Sequence, residues 1–264
     1  MPGDSPPWPH LRHQQDESAV QGSPGLAREG AVIGDLLSSA YRIARSLTSA
    51  TGRSVVWTRL RHPRALHQTA TTTAPDRYPE LFSGLARHLP RDAEILSFGC
   101  STGEELLSLR ALLPAARLTG VEINPHARRI ATQRTANDPL TRIVSHLPDG
   151  QYDAVLALAV LQREPHRVID ERITDLAALY PFARFDAALS ALAERLRPRG
   201  FFAIVHAHYR VEDSTAAPLL NPVVDSPAQS GPLFDRNSRR YDPTPPAATL
   251  FVRCTATASA SSRT

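Results

Sequence analysis

The residues best able to do chemistry lie in "FGCSTGEE", Phe98 to Glu105, together with Glu122, 19 residues beyond Gly103. Gly99 and Gly103 bracket Cys100, Ser101 and Thr102, so a ligand can come close to the main chain where side chains are small. Glu104 and Glu105 follow at once, in the first turn of an expected helix. A dinucleotide site would carry a third glycine at position 104, and two carboxylates there repel a pyrophosphate. They suit a ligand bearing an ammonium group, and they also complement the helix dipole. Both readings stay open for Glu104; Glu105 is assigned to the dipole. Glu122, in "GVEIN", ends the next apolar run, where an acid accepts hydrogen bonds from both hydroxyls of a ribose. Its alternative is a solvated strand end. Proton transfer has candidates in His166, His206 and His208, each able to titrate near neutrality or to serve as a structural hydrogen-bonding group. His206 is the first choice, because a strand end is held rigidly.

These groups need a scaffold, and the hydrophobic pattern supplies one. "AEILSF" is an apolar strand, "GEELLSLRALL" a helix, "ARLTGVEI" a second strand and "PHARRIATQRTA" a second helix. "TRIVSH" is a weaker third strand. "YDAVLALAVL" is a fourth, apolar throughout as a strand covered on both faces should be. Phe182 to Leu196 reads as a long helix, "FFAIVHAH" as a fifth strand and "ATLFVRC" as the last. Such alternation predicts an α/β fold with a doubly wound, mostly parallel Rossmann-like sheet. In that arrangement ligands bind beyond the carboxyl ends of the strands, where the glycine loop lies.

Around this core, at 91–254, the organisation is simpler. Residues 1–30 are rich in Pro, Gly, Ser and Gln and are expected to be a disordered tail, as are 255–264. Residues 31–90 are read as an N-terminal helical cap. Within it, Ile33 to Leu47 repeat at helical spacing toward a stop at Gly52, "SVVWTRL" is a short strand, and a helix starts near Pro79. Residues 211–246 exceed an ordinary connection, and Leu219, Leu220, Val223, Val224, Leu233 and Phe234 give them apolar anchors. They are expected to form a lid-like insert.

Composition excludes several classes. All 30 Lys+Arg positions are arginine, so Schiff-base and lysine-base chemistry are ruled out. That bias fits a GC-rich genome, and Arg128, Arg129 and Arg134 read as the solvated face of one helix, so a nucleic-acid partner is not expected. Aromatic content of 6% also offers few stacking platforms. No apolar run reaches the ~20 residues of a membrane span, and no signal peptide is visible. Cys100 and Cys254 form no metal-type pair; a metal site is not expected, and a cytoplasmic setting is.

A ribose, an ammonium and no pyrophosphate describe S-adenosylmethionine. Over residues 91–206 the chain resembles class I S-adenosylmethionine-dependent methyltransferases. "ILSFGCSTGEE" resembles their glycine-rich first motif, "LTGVEINP" the acidic second-strand motif, "YDAVLALAVLQ" the fourth strand and "LAERLRPRGFFAIV" the helix, turn and fifth strand. The form "GCSTGEE" is nearest to chemotaxis-type protein glutamate methyltransferases and to small bacterial methyltransferases of unassigned substrate. Ser97 stands where the first motif usually has an acid, and Ser101 where it has a middle glycine. The resemblance implies a cofactor site made by Gly99, Cys100, Ser101, Thr102, Gly103, Glu104, Glu122, Ile123, Leu158 and Ala159. It also offers Arg77 to the methionine carboxylate and His206 or His166 as base. The expected acceptor is a small molecule with an O or N nucleophile. A chemotaxis-like protein carboxyl methyltransferase and a non-catalytic cofactor-binding scaffold are the rivals. The Asn/Asp-Pro-Pro-aromatic stretch of amino-group methyltransferases is absent from "LALAVLQREP".

Overall fold

The computed structural model describes residues 48–63, 65–68, 77–224 and 226–255. The expected tails, 1–30 and, apart from Thr255, 255–264, and the helix read over Ile33 to Leu47 lie outside them. Of the expected 31–90 cap, two helices are described: α1 (Ala50–Arg61) and α2 (Pro79–His88).

The first of these corrects the strand read at 54–60. Ser49 caps the helix, its Oγ accepting the Gly52 N–H at 3.0 Å, so Gly52 sits inside the first turn instead of stopping a helix. Thr58 is fully buried and returns its hydroxyl to the Ser54 carbonyl at 2.7 Å. Ser54 in turn donates to Asn124 Oδ1, 2.7 Å away on another element. Capping and this tertiary tie outweigh the β preference of Val55, Val56 and Trp57, which is a weak prior.

The core follows the pattern. β1 (Glu94–Phe98), α3 (Glu104–Leu112), β2 (Arg117–Val121), α4 (Pro125–Arg134), β3 (Thr141–Val144) and β4 (Tyr152–Leu158) alternate as expected. Then come α5 (Pro165–Asp170), α6 (Phe182–Glu194) and β5 (Leu196–Val205). The short β6 (Leu220–Pro222) and β7 (Leu250–Arg253) complete a seven-stranded sheet of order β3-β2-β1-β4-β5-β7-β6. The first five strands are parallel; β7 runs antiparallel to both β5 and β6.

Successive residues of a strand face opposite sides of the sheet, and the core divides accordingly. Leu96, Val155, Phe202 and Ile204 face α6, where Phe185, Leu189 and Leu192 meet them. Ile95, Ala154, Leu156 and Ala203 face α2 and α3, which bring Phe82, Leu85, Leu106 and Leu109. With β2 on one side of β1 and β4 on the other, the strand order reverses at β1. The crevice beyond that point is the usual ligand position of such sheets. The loops there are tightly turned. Positive φ occurs at Gly99, Ser101 and Gly103 after β1, at Ala159 after β4 and at His206 after β5. A non-glycine residue with positive φ is uncommon and concentrates at functional edges.

The 211–246 segment differs from the lid-like insert read from its length. Leu220, Leu233 and Phe234 are buried in the main body. β6 extends the sheet edge, and the Phe234 N–H donates to the His208 carbonyl at 2.9 Å. Of its six apolar anchors these three are core residues, whereas Leu219 and Val224 are exposed.

Phe185 is fully buried against Phe182 and Tyr209. Phe185→Ala is expected to lower the unfolding free energy by about 3–5 kcal/mol. Val224→Ala, at a position 84% exposed, is expected to change it by less than about 0.5 kcal/mol. Denaturant titration of the two variants checks the contrast; equal losses would contradict the assignment of α6 to the core.

Candidate functional site

Beyond the carboxyl ends of β1, β2 and β4 lies a cavity of about 650 Å³. Its floor is the β1 loop, Phe98 to Ser101, and the β2 tip, Val121 to Asn124. Leu158, Ala159 and Val160 after β4 form one wall, with Ser145, His146 and Leu147 after β3 beside them. Val55, Trp57 and Thr58 of α1 reach it, as do Leu66, His67 and Gln68. Arg77, Tyr78 and Phe82 come from the segment that opens α2.

Gly99 has φ +78°, and a Cβ added there would lie 2.5 Å from Val160 Cγ2. The bare backbone is therefore required where β1 and β4 diverge. Gly103, at φ +92°, caps α3, and its missing side chain lets α3 approach Ala131 of α4, 3.3 Å from where a Cβ would be.

Glu122 is buried at the β2 tip. Its Oε2 accepts the Ser101 N–H at 3.0 Å and its Oε1 the Asn124 N–H at 2.6 Å. Burial raises its carboxyl above the usual range, against those two hydrogen bonds. One acid thus ties the glycine loop to the second strand while lining the cavity.

The two loop glutamates part company. Glu104 turns to Thr102, whose Oγ1 donates to it at 2.7–2.8 Å, and to Arg134 of α4, with which it forms an ion pair. Burial opposes its ionisation, but those partners prevail and hold the carboxyl below its ordinary range. Thr102, Gly103 and Glu104 are not among the residues lining the cavity. Glu105, assigned from sequence to the helix dipole, is among them. It accepts a hydrogen bond from Ser97 Oγ, and burial pushes its carboxyl up to about 7. Which of the two acids faces the cavity could not be read locally, because adjacent helical positions point 100° apart and only the packing of α3 says which faces inward.

Gly99, Cys100, Ser101, Glu122, Ile123, Leu158 and Ala159 all line the cavity. Cys100 is buried, and burial raises its thiol well above the ordinary value, so it is an inert loop residue rather than a nucleophile. Of the proposed bases, His166 is exposed on α5, and His206 sits behind Tyr78 with ring centroids 6.0 Å apart. Neither lines the cavity. His208 is buried, its Nε2 2.9 Å from the Arg163 carbonyl.

Two further groups line the cavity: His67, which sequence did not single out, and Tyr78, read only as part of the segment before the core. His67 lines the cavity, with Nδ1 2.6 Å from the Tyr180 hydroxyl. Burial, then Arg184 and Arg163, depress its pKa to about 3, so the ring is neutral. The same arginines clamp the chain here, donating to the carbonyls of Leu66 and His67. Tyr78 lines the cavity too; its hydroxyl is buried with no hydrogen-bond partner among the described residues, and burial raises its pKa to about 12. The only local signal for Tyr78 was its place just before the core.

Among the described residues, no group of His, Cys, Asp and Glu is arranged to hold a metal ion, and no helix is long and apolar enough to cross a membrane.

A family model described as a methyltransferase domain matches residues 67–238. No curated protein sequence matches the chain. Among solved structures, the StiE O-methyltransferase domain is 24% identical over 48% of this chain and 42% of its own, with a TM-score of 0.35. CalS10, an amino pentose methyltransferase from Micromonospora echinaspora, is 18% identical over 62% of this chain and 59% of its own, at 0.37. The CcbJ methyltransferase from Streptomyces caelestis is 21% identical over 50% and 49%, also at 0.37. The chain thus spans less than two thirds of the length of each. With more than half of its residues inside the matched domain, the chain belongs to the methyltransferase-domain family.

Proposed function

We propose that the cavity holds S-adenosylmethionine and that the enzyme moves its methyl group to an O or N nucleophile of a small molecule admitted beside it. The observation that carries this reading is Glu122: a buried carboxylate at the β2 tip, gripped by two backbone N–H groups and lining the cavity at the sheet's switch point. An ionised acid fixed in this way presents its remaining lone pairs to vicinal hydroxyls, as a ribose requires.

The residues fit that cofactor. Gly99 opens the backbone where any side chain would strike Val160. Tyr78 lines the cavity, and its hydroxyl, buried out of solvent reach, has no hydrogen-bond partner among the described residues. Ile123, Leu147 and Leu158 offer apolar walls to a flat base. The cofactor supplies a methyl group on a positively charged sulfur. The protein's part is to hold the acceptor in line with that group and to keep water out, and alignment alone can lower a barrier by several kcal/mol. Trp57 and Val55 of α1, with Phe82, cover the cavity for the second purpose. His67, neutral and fixed through Tyr180, is the buried imidazole available to an acceptor's hydroxyl or amine. A small molecule is favoured because the site is concave and walled by side chains, with a volume typical of such ligands.

Calorimetry is expected to show binding of S-adenosylmethionine and S-adenosylhomocysteine and none of NAD; tight NAD binding in the same cell would overturn the reading. Glu122→Ala should remove charge-assisted hydrogen bonds worth roughly 1.5–3 kcal/mol each and weaken both ligands by at least about tenfold. An unchanged dissociation constant in a folded variant would separate Glu122 from the ribose.

A further inference from the structure

His67 has two ring nitrogens, and its surroundings decide which of them carries the hydrogen. Nδ1 lies 2.6 Å from the hydroxyl of the fully buried Tyr180. Burial holds that phenol far above its ordinary pKa, so it stays protonated and its O–H needs an acceptor. Among the described residues the Tyr180 hydroxyl has one hydrogen-bond partner, His67 Nδ1. The cations beside it are Arg184, whose guanidinium lies 5.7 Å from the ring centroid, and Arg163, and a guanidinium only donates. A hydrogen on Nδ1 would strand the Tyr180 O–H in the interior, which is costly. Tyr180 therefore donates to Nδ1, and the neutral imidazole carries its own hydrogen on Nε2. Nε2 makes no hydrogen bond among the described residues, and the ring lines the cavity. The imidazole thus offers a donor to an incoming ligand, not a base.

We propose that the methyl acceptor is an oxygen acid, a carboxylate or an acidic phenol, and that the His67 Nε2–H holds its anionic oxygen. This rests on the cofactor reading given above and selects oxygen from the two nucleophiles named there. The local field favours an anion. Burial comes first among the influences that keep His67 neutral, followed by Arg184 and Arg163, whose charge disfavours a proton on the ring and equally favours a negative oxygen beside it. Both arginines donate to main-chain carbonyls, those of Pro63, Leu66 and His67, while Glu164 acts electrostatically on Arg163 and offsets part of its charge. An amine meets the reverse: two guanidiniums repel its ammonium form, and Nε2–H occupies the lone pair of its free base. His67 packs edge-on against Phe98, the residue before Gly99, with ring centroids 6.0 Å apart, so the donor sits beside the glycine loop. Two other histidines line the cavity, His62 and His146, and both are exposed to solvent.

The step balances without a base. A lone pair of the anionic oxygen attacks the methyl carbon, the carbon–sulfur bond breaks, and its electron pair neutralises the sulfonium. One negative and one positive charge disappear, and no proton moves. Nε2–H engages a lone pair that the attack does not use. Tyr180 is a positioning residue: it acts through His67, by fixing the nitrogen that keeps the hydrogen.

The test uses the full chain with nitrogen-15 histidine, saturated with S-adenosylhomocysteine, at pH 7. Long-range proton–nitrogen spectra distinguish the two ring nitrogens, and the His67 signals are those lost in His67→Gln. The hydrogen should sit on Nε2 in the wild type, and Tyr180→Phe, which removes only the donor, should raise the share on Nδ1. Benzoate and 4-nitrophenol, as acid probes, are then compared with benzylamine. At least one acid should shift the Nε2–H signal and bind at least about tenfold more tightly than the amine, as a hydrogen bond to a charged group allows. His67→Phe should remove that preference, and His67→Gln, which keeps an N–H donor, should retain part of it. A hydrogen on Nδ1 in the wild type, an amine that binds as tightly as the acids, or acids that leave the Nε2–H signal unmoved would overturn the proposal. These three are read on the unaltered protein whether or not a variant folds. If S-adenosylhomocysteine does not bind, the cofactor reading itself fails, and the position of the hydrogen is still read without it.

Discussion

The structure turns on one buried carboxylate. Glu122 accepts hydrogen bonds from the Ser101 and Asn124 main chain, and each has a structural consequence. Presenting the Ser101 N–H to β2 goes with a left-handed conformation at Ser101, a strained choice for a residue with a Cβ. The bond that Ser101 N–H makes to the Glu122 carboxyl helps to hold that conformation. Holding Asn124 fixes the start of α4, where the Asn124 side chain caps the N–H groups of His126 and Ala127. The same side chain takes the Ser54 hydroxyl of α1. One acid therefore sets the glycine loop, the following helix and, at one remove, the helix that reaches over the cavity.

The loop then works by subtraction. Gly99 and Gly103 matter for the atoms they lack: one leaves room for Val160, the other for Ala131. Their neighbours cannot be larger without separating β1 from β4 or α3 from α4. Close packing of this kind transmits small changes, so an added methyl at Gly99 would be felt along the β4 edge as well as in the cavity.

How legible this was depended on whether the signal was local. The strands of the core could be read because their apolar runs are continuous, and the α/β order followed from their alternation with helical spacing. The position of the glycine loop and of Glu122 at the sheet's switch point could be read because each lies within one turn or one strand end. The helix at 50–61 was misread because Val55, Val56 and Trp57 favour a strand in isolation; a serine cap and a bond to Asn124, 70 residues away in sequence, decide otherwise. The 211–246 segment was hard to read for a related reason, since apolar anchors in a long loop look alike whether they close over a site or fill a core.

The sides of the cavity differ in the same respect. Toward the proposed nucleoside it is made by contiguous stretches after β1, β2 and β4, each carrying its own turn chemistry. Around His67 it is made by residues that sequence places far apart. His67 is fixed by Tyr180, more than a hundred residues later, and its backbone by Arg163 and Arg184. Burial is the main reason the imidazole stays neutral, and the two arginines that hold this segment add to it. Positioning and electrostatics cannot be varied independently there. A change to Arg163 or Arg184 that relaxed the segment would also make His67 more basic, which links the shape of this wall of the cavity to its proton affinity.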